Sequence, residues 1–134
     1  MSAIAMAAML MMSPAAEIRV DVGEVRTNAL PPLRRVERSL PTPAMVDEVE
    51  RILAETQCRL PGQTPRRFDI DVPYAVLVEP DGAASRVVVS ELGCPELESY
   101  AGLVVLEMAR RGEFMRTGEN KARWFASTLN FNLE

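Results

Sequence analysis

Two cysteines are the residues of this chain whose chemistry is easiest to state. Cys58 and Cys94 form an even pair, and in an oxidising compartment such a pair suggests a disulfide bond. That bond would close a loop of about 35 residues and stabilise the fold on the order of 3 to 4 kcal/mol in the chain-entropy model. The other interpretation is two unrelated buried thiols. A structural zinc is not expected, because two thiolates without histidine cannot supply four ligands.

Acidic pairs offer the remaining metal or acid–base chemistry. Asp69 and Asp71 flank Ile70, and a D-x-D pair can bind a divalent cation through oxygen atoms. Two solvated carboxylates before a strand are the stronger interpretation. Glu96 and Glu98 are two positions apart on a predicted helix, so they face different ways and make a poor acid and base. We predict no metal site and no cofactor.

Histidine is absent from the 134 residues, which excludes Ser-His and Cys-His catalysis. The sequence also contains no glycine-rich phosphate loop and no nucleophile elbow. We therefore predict a protein that is not an enzyme and has no catalytic residues. Its formal charge of −4, with 15 Lys and Arg scattered along the chain, gives no footprint for nucleic acid.

The first 16 residues have the pattern of a signal peptide. An apolar run, AIAMAAMLMM, covers residues 3–12 and is too short for a membrane span of roughly 20 residues. Small residues follow it and suit cleavage after Ala15, although no Lys or Arg precedes the run. We expect 1–16 to be a signal peptide and the protein to be periplasmic. The alternative is a short buried or frayed N-terminal helix.

Residues 17–41 are predicted to be a leader or linker containing at most one short strand. Ile18, Val20 and Val22 alternate with polar residues as a strand would, but prolines and arginines then interrupt the pattern. The arginines could touch a membrane surface or a partner, although a solvated linker is the stronger interpretation. The folded domain is expected over 42–134.

Within that domain the pattern predicts helix, β-hairpin, helix and strand. Thr42 suits a helix N-cap, and Pro43 suits the first helical position. Apolar alternation over 72–89, about a Pro-Asp-Gly turn, predicts the hairpin. A second helix is expected over 95–112 and a final strand over 124–133. We predict an α+β fold whose three-stranded antiparallel sheet packs against two helices.

One large aromatic side chain is expected at the surface. Trp124 lies on the polar side of the predicted last strand. It could anchor a ligand, or it could pack on the loop over 115–123.

The order of elements resembles the C-terminal domain of TonB-type energy transducers. The similarity covers about 44–133, and it rests on the spacing of short apolar residues around the hairpin turn. The residues that carry it are Val76, Val78, Asp81-Gly82, Val87, Val89, Leu97-Glu98, Ala101, Phe114 and Asn130-Phe131-Asn132-Leu133.

The chain departs from the family's pattern at several places. Leu40-Pro41-Thr42-Pro43 stands where the family often has Tyr-Pro, and Arg116 stands where a proline is usual. These 134 residues show neither the membrane anchor nor the long Pro-rich spacer of complete transducers. We therefore do not expect this chain to couple inner-membrane energy to a receptor in the usual way.

The resemblance implies a binding mode. In the family, an extended N-terminal segment of a receptor adds as a strand beside the last strand of the sheet. The residues expected at that edge here are Trp124, Ala126, Thr128, Asn130 and Phe131. We expect a periplasmic module that captures a protein or peptide partner, such as an outer-membrane receptor segment. The alternative is a secreted structural or assembly subunit that oligomerises through the sheet edge, in the simplest case as a homodimer.

Overall fold

A computed structural model describes residues 17–35, 40–64, 67–115 and 118–133 of the protein. The predicted α+β class is confirmed, whereas the predicted signal peptide over 1–16 lies outside the described residues. The elements in chain order are β1 (Arg19–Gly23), a 3-10 turn (Thr27–Ala29), α1 (Pro43–Thr56), β2 (Phe68–Val78), β3 (Ala84–Ser90), α2 (Pro95–Arg110) and β4 (Arg123–Leu133).

The predicted three-stranded antiparallel sheet is wrong in the number of strands and in their directions. In the part of the chain that the structure describes, the sheet has four strands in the order β1-β3-β2-β4, and β1 runs parallel to β3. The additional strand comes from the stretch that was expected to be a linker. Val20 and Val22 lie beside the buried Val87 and Val89, so the alternation at the start of the chain belongs to the sheet.

The helix α2 approaches β1 closely, and a glycine makes this approach sterically acceptable. A Cβ atom on Gly102 would come within 2.8 Å of Val20 Cγ1. Any larger residue at this position would require the Val20 side chain or α2 to shift.

The central strand is β2, which pairs antiparallel with β3 on one side and with β4 on the other. Side chains alternate between the two faces of a strand. We call the face covered by the helices the inner face and the opposite one the outer face. The inner row of β2 is fully buried and consists of Phe68, Ile70, Val72, Tyr74, Val76 and Val78.

Both helices bury one face, and α1 also begins with a side-chain cap. Thr42 Oγ1 accepts a hydrogen bond from the Met45 N–H at 3.3 Å, so the predicted N-cap of α1 is present. Helix α2 begins at Pro95, as expected. The side chains that the two helices bury against the sheet include Val49, Ile52, Leu53, Leu97, Ala101, Val104, Val105 and Met108.

The predicted disulfide bond between Cys58 and Cys94 is present, with the two Cα atoms 5.9 Å apart. Cys58 follows the end of α1, and Cys94 is the N-cap residue of α2. The bond therefore ties the end of one helix to the start of the other.

Residues 24–35, which we call the crossing segment, connect the two edges of the sheet. β1 ends at Gly23 beside β3, whereas Pro32 forms a parallel bridge with Ala126 on β4. The 3-10 turn contacts β2 and β4 between these points. Since the helices cover the inner face, the segment passes over the outer face, where Ala75 and Ala126 are buried.

A buried ion pair holds the end of the crossing segment. Arg35 Nη2 lies 2.5 Å from Glu113 Oε1 and also donates to the Leu40 carbonyl at 3.1 Å. The side chain of Glu113 is 0% exposed and that of Arg35 is 12% exposed. The Met115 N–H adds a hydrogen bond to the Arg34 carbonyl at 3.0 Å.

Candidate peptide-binding edge

β4 is an edge strand, and the edge that points away from β2 is partly occupied by the protein's own chain. The Leu33 N–H donates to the Ala126 carbonyl at 2.9 Å, and the Ala126 N–H donates to the Pro31 carbonyl at 3.0 Å. Both backbone groups of Ala126 therefore point away from β2. Ala126 was predicted to belong to the peptide-binding edge, and an extended segment already pairs with it.

The rest of this edge continues past the crossing segment. Because backbone groups alternate along a strand, those of Thr128, Asn130 and Asn132 point the same way as those of Ala126. Among the described residues, nothing beyond the sheet itself is hydrogen-bonded to the backbone of these three. Their side chains are exposed on the outer face. We call 128–132 the open half of β4.

Asn130 is held in place by the two aspartates that the sequence singled out. Its Nδ2 donates to Asp71 Oδ1 at 2.9 Å and also to Asp69 Oδ1. Asp71 is the direct β2 neighbour of Asn130 in the register of the sheet. The D-x-D carboxylates thus orient an amide at the edge and place negative charge on the outer face beside it.

A groove borders the inner side of the open half at its end. It has a volume of about 400 Å³ and lies between the end of α1 and the paired strand ends at Phe68 and Leu133. Leu53 contributes an apolar wall, and the exposed Arg59 and Arg67 contribute positive charge. A strand added along the open half would direct every second side chain to the inner side, towards this groove.

Trp124 contacts the neighbouring strands on the outer face. It pairs in register with Leu77, and the guanidinium carbon of Arg86 lies 5.5 Å from the centre of its ring. This is the geometry of a cation–π contact. The Trp124 side chain is half-buried. Trp124 precedes Ala126, the β4 residue that pairs with the crossing segment.

Phe131 has a structural position within the predicted edge. Its side chain is 0% exposed, and its ring centre lies 6.5 Å from that of Tyr100 on α2. Phe131 therefore fixes the open half against the core, and its side chain does not face a ligand.

Among the described residues, shifted pKa values occur on the helices α1 and α2. Burial raises the pKa of Tyr100, and the nearby Glu48 carboxylate adds to this. Hydrogen bonds from Arg51 lower the pKa of Glu48. Arg51 also pairs with Glu55, so these charges form an ion-pair cluster on the surface of α1.

A group of three donor residues lies together at the start of α2. Cys58, Cys94 and Glu96 place one donor atom each within 4.8 Å of one another in the described part of the chain. The two sulfur atoms are bonded to each other in the disulfide, so they are not thiolate ligands.

Sequence reasoning missed the features that limit and extend the site. In the sequence, Pro31 is typical of a chain break and Leu33 is a single apolar residue. Neither indicates pairing with a distant strand. Asn132 and the groove beside Leu133 were also missed. Asn132 shares the alternation of Thr128 and Asn130 and could have been included on that basis.

Comparison with known proteins identifies no relative. No family model, no curated protein and no solved structure matches this chain. In the described ranges, no helix combines the length and the apolar character that a membrane crossing requires.

Proposed function

We propose that this protein is a non-enzymatic binding module that captures an extended peptide as an added strand along the open half of β4. The observation that carries the proposal is the pairing of Pro31 and Leu33 with Ala126, because an extended segment already sits on this edge. Thr128, Asn130 and Asn132 offer the same backbone groups further along. Unpaired backbone groups at a sheet edge are the basis of β-augmentation.

Side chains around the open half would select among peptides. Thr128 and Asn130 face the outer side, where Asp69 and Asp71 favour a cationic side chain on the captured peptide. On the inner side the groove beside Leu133 would accept the alternate side chains. Backbone pairing would provide most of the affinity, and these contacts would provide the preference.

We further propose that the protein works in the periplasm and that its partner is an extended segment of another protein, such as an outer-membrane receptor. The disulfide supports an oxidising compartment, since such bonds persist there. The apolar run over 3–12 and the small residues after it support export. The resemblance to the TonB C-terminal domain supports the partner class and the mode of binding.

The test separates backbone recognition from side-chain recognition at one position. Linear peptides selected by phage display on the immobilised protein would be titrated by calorimetry against three forms: wild type, N130A and N130P. The Asn130→Pro substitution removes an outward N–H and places the ring where the added strand would lie, while Asn130→Ala keeps the N–H. We expect N130P to weaken peptide binding at least about tenfold, because it loses one main-chain hydrogen bond to the peptide and its ring occupies the peptide's position. We expect N130A to change the affinity less.

The proposal fails if N130P binds the selected peptides as tightly as wild type while remaining folded. A second experiment identifies the partner: a photo-crosslinker is placed at Asn132 of the protein in the cell envelope. Cross-links to an extended terminal segment of an outer-membrane receptor support the proposed role. Cross-links between the β4 strands of two copies instead support the assembly subunit.

A further inference from the structure

The opposite edge of the sheet, β1, is also exposed along its backbone. The Glu91 N–H donates to the Gly23 carbonyl at 3.0 Å, so the Gly23 backbone faces β3. By alternation, Arg19 and Asp21 also face β3. The residues whose backbone groups point outward are Ile18, Val20 and Val22. Among the described residues, no other segment pairs with this side of β1.

This edge also exposes apolar side chains. Val20 is 37% exposed and Val22 is 46% exposed, and both lie on the inner face beside α2. Arg19 and Asp21 lie on the outer face. There Asp21 Oδ2 lies 3.3 Å from Arg19 Nε and 3.6 Å from Arg86 Nη2. The strand therefore combines open hydrogen-bonding groups, an apolar side and one charge of each sign.

We propose that the partner of this edge is a second copy of the chain, with the two β1 strands paired antiparallel about a two-fold axis through Val20. In this register Ile18 lies opposite Val22 of the second copy, and Val20 lies opposite its counterpart. Every outward N–H and C=O of these residues then has a partner. On the outer face, Arg19 lies opposite Asp21 of the second copy, and the two-fold axis repeats this pair.

Charge disfavours the neighbouring register. An axis through Asp21 would place the two Asp21 carboxylates directly opposite each other, with Cα atoms about 4.5 Å apart. Arg19 would then face the uncharged Gly23. Like charges in such a pair are destabilising, so the sequence of the strand is self-complementary about Val20 and not about Asp21.

Such a dimer joins two sheets into one continuous sheet whose outermost strands are the two copies of β4. Each open half then remains accessible, and the assembly is bivalent for extended peptides. The dimer itself does not rest on the proposed peptide binding, because it uses the other edge.

A charge-swap series tests the interface. Sedimentation equilibrium on the full chain would compare wild type, R19D, D21R, the double variant R19D/D21R and an equimolar mixture of the two single variants. We expect wild type to dimerise. We expect the dimer dissociation constant of each single variant to be at least about tenfold higher, because two cross-strand pairs become repulsive. The double variant and the mixture should dimerise again, since both restore opposite charges across the axis.

The proposal is overturned by wild type that stays monomeric over the whole concentration range, or by charge variants that dimerise as wild type does. Cysteine cross-linking checks the register. Val20→Cys places two thiols opposite each other with Cα atoms about 5.5 Å apart, a distance that a disulfide can span. Val22→Cys separates them by about 14 Å. Cross-linking of V22C but not of V20C would contradict the axis through Val20.

Discussion

At the residue scale, Glu113 supports the candidate site without belonging to it. Its carboxylate is buried and pairs with Arg35 at the end of the crossing segment. Replacing one partner of a buried pair leaves the other charge without compensation, which costs about 3 to 5 kcal/mol. We therefore expect E113Q to lower the free energy of unfolding by several kcal/mol, measured by urea denaturation with the single tryptophan, Trp124, as the probe.

The matched control for this prediction is E24Q. Glu24 also pairs with an arginine, Arg26, but both side chains are largely exposed, at 75% and 72%. Such a pair contributes about 0 to 1 kcal/mol. If E113Q and E24Q lower the stability equally, the ion pair with Arg35 is not important for the fold.

A second residue-scale prediction concerns two glutamates of the first turn of α2. Glu98 is buried and accepts hydrogen bonds from the N–H groups of Leu92 and Cys94 at 2.7 and 3.2 Å, whereas Glu96 is exposed. Hydrogen bonds to a charged acceptor contribute about 1.5 to 3 kcal/mol each. We expect E98Q to reduce the free energy of unfolding by at least about 1.5 kcal/mol. E96Q loses only a helix-dipole interaction of about 0.3 to 1 kcal/mol.

Thermal and urea unfolding of both variants at neutral pH would test this difference. Both side chains lie in the first turn of α2, and burial is what separates them. Equal losses for E98Q and E96Q would show that the dipole alone explains both residues.

At the element scale, the described backbone pairing predicts an alternating pattern of amide hydrogen exchange along β4. The N–H groups of Leu129 and Phe131 face β2 and should exchange slowly, while those of Thr128, Asn130 and Asn132 face solvent and should exchange fast. We expect a difference of about 100-fold or more, because exchange of a paired amide needs local opening that costs several kcal/mol. Ala126 should exchange slowly despite facing outward, because it donates to Pro31.

Nuclear magnetic resonance of the uniformly labelled protein would give these rates residue by residue. Addition of a selected peptide should slow exchange at Thr128, Asn130 and Asn132 and leave Leu129 unchanged. Slow exchange at these three amides in the protein alone, at concentrations where it is monomeric, would mean that the open half is not open.

The elements could be predicted from the sequence where the signal is local. Thr42 and the turn at 79–82 determine a helix start and a hairpin through contacts within a few residues, and both are where they were expected. β1 gave a correct alternation but no sign of its partner, because pairing with β3 depends on residues more than 60 positions away. The result was a correct strand pattern in a sheet with the wrong number of strands.

The candidate site shows the same division between local and distant signals. The alternation of Thr128 and Asn130 indicated an exposed row on the last strand, and the structure places both there. The pairing of Pro31 with Ala126 could not be predicted, because proline is normally a sign against strand pairing. Proline lacks an N–H but keeps its carbonyl, and that carbonyl is the group that Ala126 uses.

At the scale of the whole molecule, the disulfide links the stability of the fold to the shape of the candidate site. Cys58 lines the groove beside the open half, and its bond to Cys94 fixes the end of α1 against the start of α2. The bond closes a loop with a sequence separation of 36. Reduction frees the unfolded chain from that constraint, and it also releases Cys58, which lines the groove.

We therefore expect reduction to lower both the stability and the peptide affinity. In the chain-entropy model, the free energy of unfolding should fall on the order of 3 to 4 kcal/mol, measured by urea denaturation with and without dithiothreitol. The C58S/C94S variant provides the control: it should match the reduced protein and should not respond to the reductant. If the fold loses this stability but the selected peptides bind the reduced protein as tightly as before, the groove at Cys58 contributes nothing to recognition. Binding would then depend on the backbone of β4 alone.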